Sequence, residues 1–341
     1  MSYAISPPIL PMLAKAASHI PSGDGWLYEP KWDGFRAIVF RDEDALYIGS
    51  RNAKPLLRYF PELESAMKRA LPQQAVVDGE IVIAGPHGLD FDALQLRIHP
   101  AASRVKMLSE TQPSMFVAFD LLALNQDLRT EPLDERRRLL EESFVDADDT
   151  FVTPQTSDIE LASTWFDRYE GAGLDGIVAK RHDLRYRSGD RAMVKVKHLR
   201  TVDCVVGGYR ISKSNDGISS LLLGLYRDGS LHYVGHTSSF KTADRRSLLG
   251  ELRKLEDGKP SFGTGRSPGG ASRWTGSDDK EWVTISPVLV CEVAFDHMQG
   301  DRFRHGSTFV RWRADKQPDE CTWEQLELPN LFDLNEIRRS R

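Results

Sequence analysis

Lys31-Trp32-Asp33-Gly34 stands near the start of this 341-residue chain, just ahead of an apolar run. A lysine amine becomes a covalent nucleophile once its ammonium gives up a proton, which desolvation or neighbouring cations favour. Gly34 would let the backbone approach a ligand closely. Three fixed letters are weak alone, because a surface turn has the same pattern. The elements that accompany them are more specific. Arg36 follows, and Arg51 lies in Ser50-Arg51-Asn52. Asp78-Gly79-Glu80 opens the run Ile81–Ile83, and Phe119-Asp120-Leu121-Leu122 closes another apolar run. Asp175-Gly176-Ile177-Val178-Ala179-Lys180 and Lys195-Val196-Lys197 come next, and Arg311-Trp312-Arg313-Ala314-Asp315-Lys316 stands near the C-terminus.

Charge is distributed unevenly among these elements. The chain carries a formal −5, which by itself argues against a nucleic-acid ligand. Residues 180–213, however, hold ten Lys/Arg and three Asp, a local +7, leaving −12 for the remainder. Basic residues interleaved with Tyr186, His198 and Tyr209 suit a surface that follows phosphates, and a solvated face is the plainer alternative. Residues 134–149 are the acidic counterweight and suggest a surface helix without chemistry.

The elements that must position these residues fall into two textures. Up to about residue 200, the runs Ala37–Phe40, Ala75–Ile83, Ser114–Leu124, Gly176–Lys180 and Met193–Lys197 predict strands. Pro61–Leu71 and Ile159–Tyr169 have helical spacing. Beyond it, Asp203–Tyr209, Ser219–Tyr226, Ser230–Val234, Glu281–Phe295 and Thr308–Trp312 predict strands around one helix, Ala243–Leu255, with a hairpin signal at Arg227-Asp228-Gly229. That series suggests a small β-barrel. Asp257–Asp279 has six glycines and no Walker-type ending, so it is expected to be an exposed loop. Cys204, Cys291 and Cys321 are widely spaced and odd in number, which argues against a disulfide framework and suits a reducing cytoplasm. No stretch approaches the roughly 18 apolar residues of a membrane span. The proline-broken N-terminus lacks the basic region of a secretory signal.

Taken in order, these elements resemble the ATP-dependent DNA ligases of the covalent nucleotidyltransferase superfamily. Pro11-Met12-Leu13-Ala14, Tyr28-Glu29-Pro30 before Lys31, and Arg304-His305 leading into Phe309-Val310-Arg311 are similar to the bacterial end-joining subgroup, either a module of a larger enzyme or a stand-alone LigC-type protein. The resemblance spans about residues 9–325. It implies an α+β fold, with an adenylation (nucleotidyltransferase) domain of antiparallel sheets and helices over 1–200. An OB-fold β-barrel over 201–325 and a tail over 326–341 would follow.

The resemblance also implies roles. Lys31 would attack the α-phosphate of ATP and carry AMP to the 5′-phosphate of nicked double-stranded DNA, where the 3′-hydroxyl displaces it. Glu29 is expected at the adenine through its backbone, Phe119 stacked on the base, and Glu80 at the ribose. Arg36 and Arg51 are expected at sugar-phosphate or nick phosphate, where guanidinium forks fit. Arg191 matches a further nucleotide-contacting arginine. Lys195 and Lys197, pointing to one strand face, are expected at the α-phosphate. Asp33 is expected to assist phosphodiester formation or to brace its turn. Mg²⁺, or Mn²⁺ in its place, would be held by Asp175 and Glu80, with Asp175 standing where the family more often has glutamate. Arg313, Asp315 and Lys316 would grip the leaving pyrophosphate when the second domain closes. Arg51, Arg181, Arg185, Arg210, Lys213, Arg302 and Arg304 are expected on the DNA backbone. The expected protein is a monomeric cytoplasmic enzyme, with a Ku-type end-binding protein as a possible recruiter. An RNA ligase, another covalent nucleotidyltransferase, or a non-catalytic DNA-end-binding module are the alternatives.

Overall fold

A computed structural model of the chain describes residues 4–86, 88–169, 174, 176–263, 281–327 and 334–339. The chain divides into two compact units, one of residues 1–198 with 328–341 and one of 199–327. No helix among the described residues is long and apolar enough to cross a membrane.

The first unit is built on two sheets. The larger runs, neighbour to neighbour, Thr150–Val152, Met115–Leu124, Gln74–Val82, Phe35–Asp42, Ala45–Ser50, with the short Gln126–Asp127 strand at its side. The pairing of Thr150–Val152 with Met115–Leu124 is parallel, and the other pairings along that path are antiparallel. Phe35–Asp42 shows why the apolar runs are continuous rather than alternating: both faces are covered. Ala37 and Val39 pack with Leu63, Ala66, Met67 and Ala70, the i, i+3, i+4, i+7 face of helix Glu62–Ala70. Ile38 and Phe40 pack the other way, with Met12, Leu122, Tyr186 and Met193.

The smaller sheet orders Leu13–Ala17, Arg191–Lys197, Gly176–Arg181, Trp26–Pro30, the first pair parallel. Beside it Tyr28, Trp32, Phe151, Trp165, Tyr169 and Ile177 form an aromatic core with Ile337 of the C-terminal helix Leu334–Arg339. Helix Leu133–Ser143 departs from expectation. It has chemistry on its inner face: Arg136 is fully buried and donates to both carboxylate oxygens of Asp120, at 2.7 and 2.8 Å. A guanidinium can be buried when a carboxylate and carbonyls use its donors.

The second unit is an antiparallel five-stranded sheet in the order Ser230–Thr237, Ile218–Arg227, Arg200–Ile211, Val283–Phe295, Thr308–Trp312. Asp228 and Gly229, both at positive φ, make the two-residue hairpin turn. The expected barrel is only partly closed. Among the described residues the edge strands meet through one bridge, Thr237 with Ser307, and no ladder continues between them. Such a partly open five-stranded sheet is what an OB-fold allows. The helix at Thr242–Leu252 inserts Leu249 and Leu252 into the core. Of the loop expected at 257–279, residues 264–279 lie outside the described residues. The described part is not simply exposed, since Phe262 sits against Tyr233 and Trp282, with ring centroids 5.5 and 5.6 Å away.

Candidate active site

Lys31 follows the strand Trp26–Pro30 in a loop that passes from the smaller sheet to the larger. Two glycines and a tryptophan fix its path. The Lys31 N–H donates to the Gly176 carbonyl at 2.8 Å. Gly176 has φ +130°, and a Cβ there would lie 1.9 Å from the Val196 carbonyl oxygen, so only glycine lets the strands close. In register, Gly176 stands opposite Lys197 and Val178 opposite Lys195. Gly34 presses on the other sheet, where a Cβ would be 2.2 Å from the Ile81 carbonyl oxygen and 2.9 Å from Glu80 Cγ. Trp32 is buried, donates from its indole N–H to Thr153 Oγ1 at 2.8 Å and meets Phe151 edge-on at 5.5 Å. Lys31 and Asp33, on either side of that anchor, are half-buried.

Glu80 is the electrostatic centre of this loop. Burial pushes its carboxyl up to about 7, the nearby Asp33 and Asp78 charges add to the rise, and Arg36 and Lys31 oppose it. A carboxyl raised this far by burial, with a lysine acting on it, is a functional-site candidate. Arg36, on the adjacent strand, is held bidentately by fully buried Asp78, at 2.6 and 2.7 Å. Tyr186 Oη donates to the same carboxylate at 2.6 Å and accepts the Met12 N–H at 3.0 Å. Burial and the Asp78 charge hold the Tyr186 phenol well above its ordinary range.

Phe119 is 7% exposed, with the Arg36 guanidinium 4.4 Å and the Lys180 ammonium 5.0 Å from its ring centroid. Cations therefore meet the ring expected at adenine. Lys180 is itself buried, so this member of the basic stretch lies inside the protein and off its surface. Its Nζ is 2.7 Å from Glu29 Oε2, and Gln155 Nε2 donates to Glu29 Oε1 at 2.7 Å. Arg137, from the inner face of its helix, stands 3.8 Å from Glu29. The Glu29 side chain is thus committed to an internal network.

Four arginines and Asp175 complete the candidates of the first unit. Arg191 is exposed and, with Lys15, Arg187 and Asp190, lines an open cavity of about 430 Å³. Arg51 and Arg185 are exposed, while Arg181 donates to the Asp24 carbonyl at 2.6 Å and lies over the Trp26 ring. Asp175 lies outside the described residues.

In the second unit Arg313 and Lys316 converge on Asp203. Arg313 Nη1 lies 2.9 and 2.8 Å from its two oxygens, and Lys316 Nζ donates to Oδ2 at 2.8 Å. Arg313 also donates to Asp315 from Nε and Nη2, each at 2.9 Å, which lowers the Asp315 carboxyl to about 2. Arg302 stacks over Tyr233 at 4.9 Å, and Arg210 acts on the same phenol, whose pKa burial raises and the two arginines lower. The Arg304 N–H donates to the His297 carbonyl at 2.9 Å, and Lys213 is exposed.

A family model described as the ATP dependent DNA ligase domain matches residues 11–197, and one described as the ATP dependent DNA ligase C terminal region matches 214–316. DNA ligase C1 of Mycolicibacterium smegmatis is 49% identical over 349 residues, covering 99% of each chain. The chain belongs to the ATP-dependent DNA ligases. The multifunctional non-homologous end joining protein LigD of Mycobacterium bovis is 29% identical over 304 residues, which are 88% of this ligase and 37% of LigD. A solved Lig E DNA ligase, described as DNA binding with a minimal scaffold, shares the fold: TM-score 0.55, 17% identity, 89% of this chain and 100% of that one.

Several residues of this ligase escaped the reading from sequence. Asp78 and Lys180 sit inside motifs already singled out, Asp78-Gly79-Glu80 and Asp175–Lys180, so a search for partners of Arg36 and Glu29 would have found them. Tyr186 and Gln155 carry no local signal, since each meets its partner more than 100 residues away, and Arg137, paired locally with Glu141, also reaches Glu29 more than 100 residues before it. Asp203 stands more than 100 residues before Arg313 and Lys316 in an unremarkable strand.

Proposed function

We propose that this ligase seals nicks in duplex DNA with ATP in three steps, and that Lys31 is the nucleophile of the first. The observation that carries the assignment is the fixed path of the Lys31 loop, tied by Gly176 to the strand of Lys195 and Lys197 and by Gly34 to Glu80. In the first step the deprotonated Lys31 Nζ forms a bond to the α-phosphorus. The bond from that phosphorus to the bridging oxygen breaks, and the electron pair leaves with pyrophosphate. In the second, a 5′-phosphate oxygen of the nick takes AMP from the lysine. In the third, the 3′-hydroxyl displaces AMP and closes the backbone. Each step develops negative charge on phosphoryl oxygens, which preorganised cations stabilise. Lys195 and Lys197 serve the α-phosphate, and Arg313 and Lys316 the departing pyrophosphate. Arg36, Phe119, Glu29 and Arg191 shape the nucleotide site. Arg51, Arg181, Arg185, Arg210, Lys213, Arg302 and Arg304 meet the DNA backbone.

Glu80 and Asp175 would hold Mg²⁺ or Mn²⁺, which when bound neutralises phosphate charge. The fit rests on Glu80: burial first, and then the Asp33 and Asp78 charges, raise its carboxyl to about 7, so a hard cation would restore its charged form. The reading extends to a monomer that a Ku-type end-binding protein recruits, supported by the likeness to LigD and checked by light scattering and by pull-down with purified Ku. The test of the main proposal is incubation with α-labelled ATP, then nicked DNA. Wild type should trap label covalently and seal the nick, and Lys31→Ala should do neither. Labelled protein in Lys31→Ala would refute the nucleophile, and label from GTP alone would refute the ligase reading.

A further inference from the structure

We propose that Asp203 is the positioning residue that presents Arg313 and Lys316 together to pyrophosphate. The inference rests on the reading above that these two cations meet the leaving group. Asp203 lies on the Arg200–Ile211 strand and is 8% exposed. One of its oxygens, Oδ2, receives both Arg313 Nη1 and Lys316 Nζ at 2.8 Å. Two like charges brought this close repel each other, and the carboxylate between them offsets that repulsion. It also fixes two long side chains that would otherwise sample many rotamers. Asp203 is in turn held at its backbone, where its N–H donates to Gln325 Oε1 and its carbonyl accepts from Gln325 Nε2, both at 3.2 Å. The Arg313 N–H donates to the Val290 carbonyl at 2.9 Å. The carboxylate is thus a fixed point, and the cations are placed by reference to it.

Asp315 differs in kind. Its side chain is 66% exposed against 10% for Asp203. Exposed pairs are weakened by water and salt, so a phosphate oxygen can replace Asp315 on Arg313 while the buried Asp203 contact persists. Lys316 uses one of three ammonium donors on Asp203, which leaves donors for a phosphate. Asp203 therefore never touches the reacting atoms and acts through its two partners.

The test measures two reactions separately on the full-length protein: single-turnover lysyl-AMP formation from saturating ATP, and sealing, without ATP, of a nick that already carries a 5′-AMP. Asp203→Asn should slow adenylation at least tenfold and pre-adenylated sealing less than threefold. Asp203→Glu should recover most of the rate, and Asp203→Asn added to the double variant Arg313→Ala with Lys316→Ala should be no slower than that double variant alone. Wild-type adenylation by Asp203→Asn would overturn the proposal. So would equal loss of both reactions with no recovery in Asp203→Glu, which would mean that Asp203 only braces the fold. If Arg313→Ala itself adenylates at the wild-type rate, the pyrophosphate reading beneath the proposal fails instead.

Discussion

Replacing Glu80 by glutamine should stabilise the ligand-free ligase while impairing it. Glu80 has its carboxyl raised from the ordinary 4.5 to about 7, first by burial. At roughly 1.4 kcal/mol per pH unit, that rise corresponds to about 3 kcal/mol of penalty for holding Glu80 charged. Glu80 is half-buried, so water screens part of it, and about 1–2 kcal/mol is the expected net effect. The sign follows from linkage. Below 4.5 Glu80 is protonated in both folded and unfolded chains and costs nothing. Between 4.5 and about 7 the unfolded chain ionises first, so folding loses stability as pH rises. Above that window the loss is constant. Glutamine cannot ionise and escapes the penalty. The assay is urea unfolding of wild type and Glu80→Gln at pH 4.5 and pH 8, without ATP or divalent cation. The variant's advantage should be about 1–2 kcal/mol greater at pH 8, with slower lysyl-AMP formation. An advantage that does not change with pH would refute the electrostatic account of Glu80. Sites that hold a charge for chemistry commonly carry this cost.

Two further substitutions test the frame around the site. Lys180→Met leaves the buried Glu29 carboxylate without its main partner, and Arg137 at 3.8 Å offsets only part of that, so urea unfolding at pH 8 should show a loss of about 3 kcal/mol. Adding Glu29→Gln should return part of that loss. Gly176→Ala forces a Cβ to 1.9 Å from the Val196 carbonyl oxygen at φ +130°, which should cost about 2–4 kcal/mol in the same measurement. It should also displace the Lys31 backbone, seen as slower covalent labelling by ATP at a temperature where the variant remains folded.

The sequence alone determined the strands with apolar or β-branched runs, such as those at Phe35–Asp42 and Val283–Phe295. It also determined the helix Ile159–Tyr169, at its observed bounds, and the Asp228-Gly229 hairpin. These depend on local periodicity and turn conformation, which neighbouring residues carry. The short strand Leu13–Ala17, with three alanines in five residues, is not legible because a parallel partner nearly 180 residues away supplies its order. The same holds for charge. The ordered motifs pointed to Lys31 and Glu80, but not to Glu80 as the acid whose pKa the surroundings would raise. Residues 134–149 read as a surface helix without chemistry, yet Arg136 on that helix is fully buried. Lys180 counted toward a basic surface and is buried on Glu29, and Asp203 carried no signal until Arg313 and Lys316 closed on it. A side chain's type is local, whereas the cost of burying its charge depends on the partner that the fold brings to it. Only the tertiary structure therefore decides which charges meet water and which hold the site together.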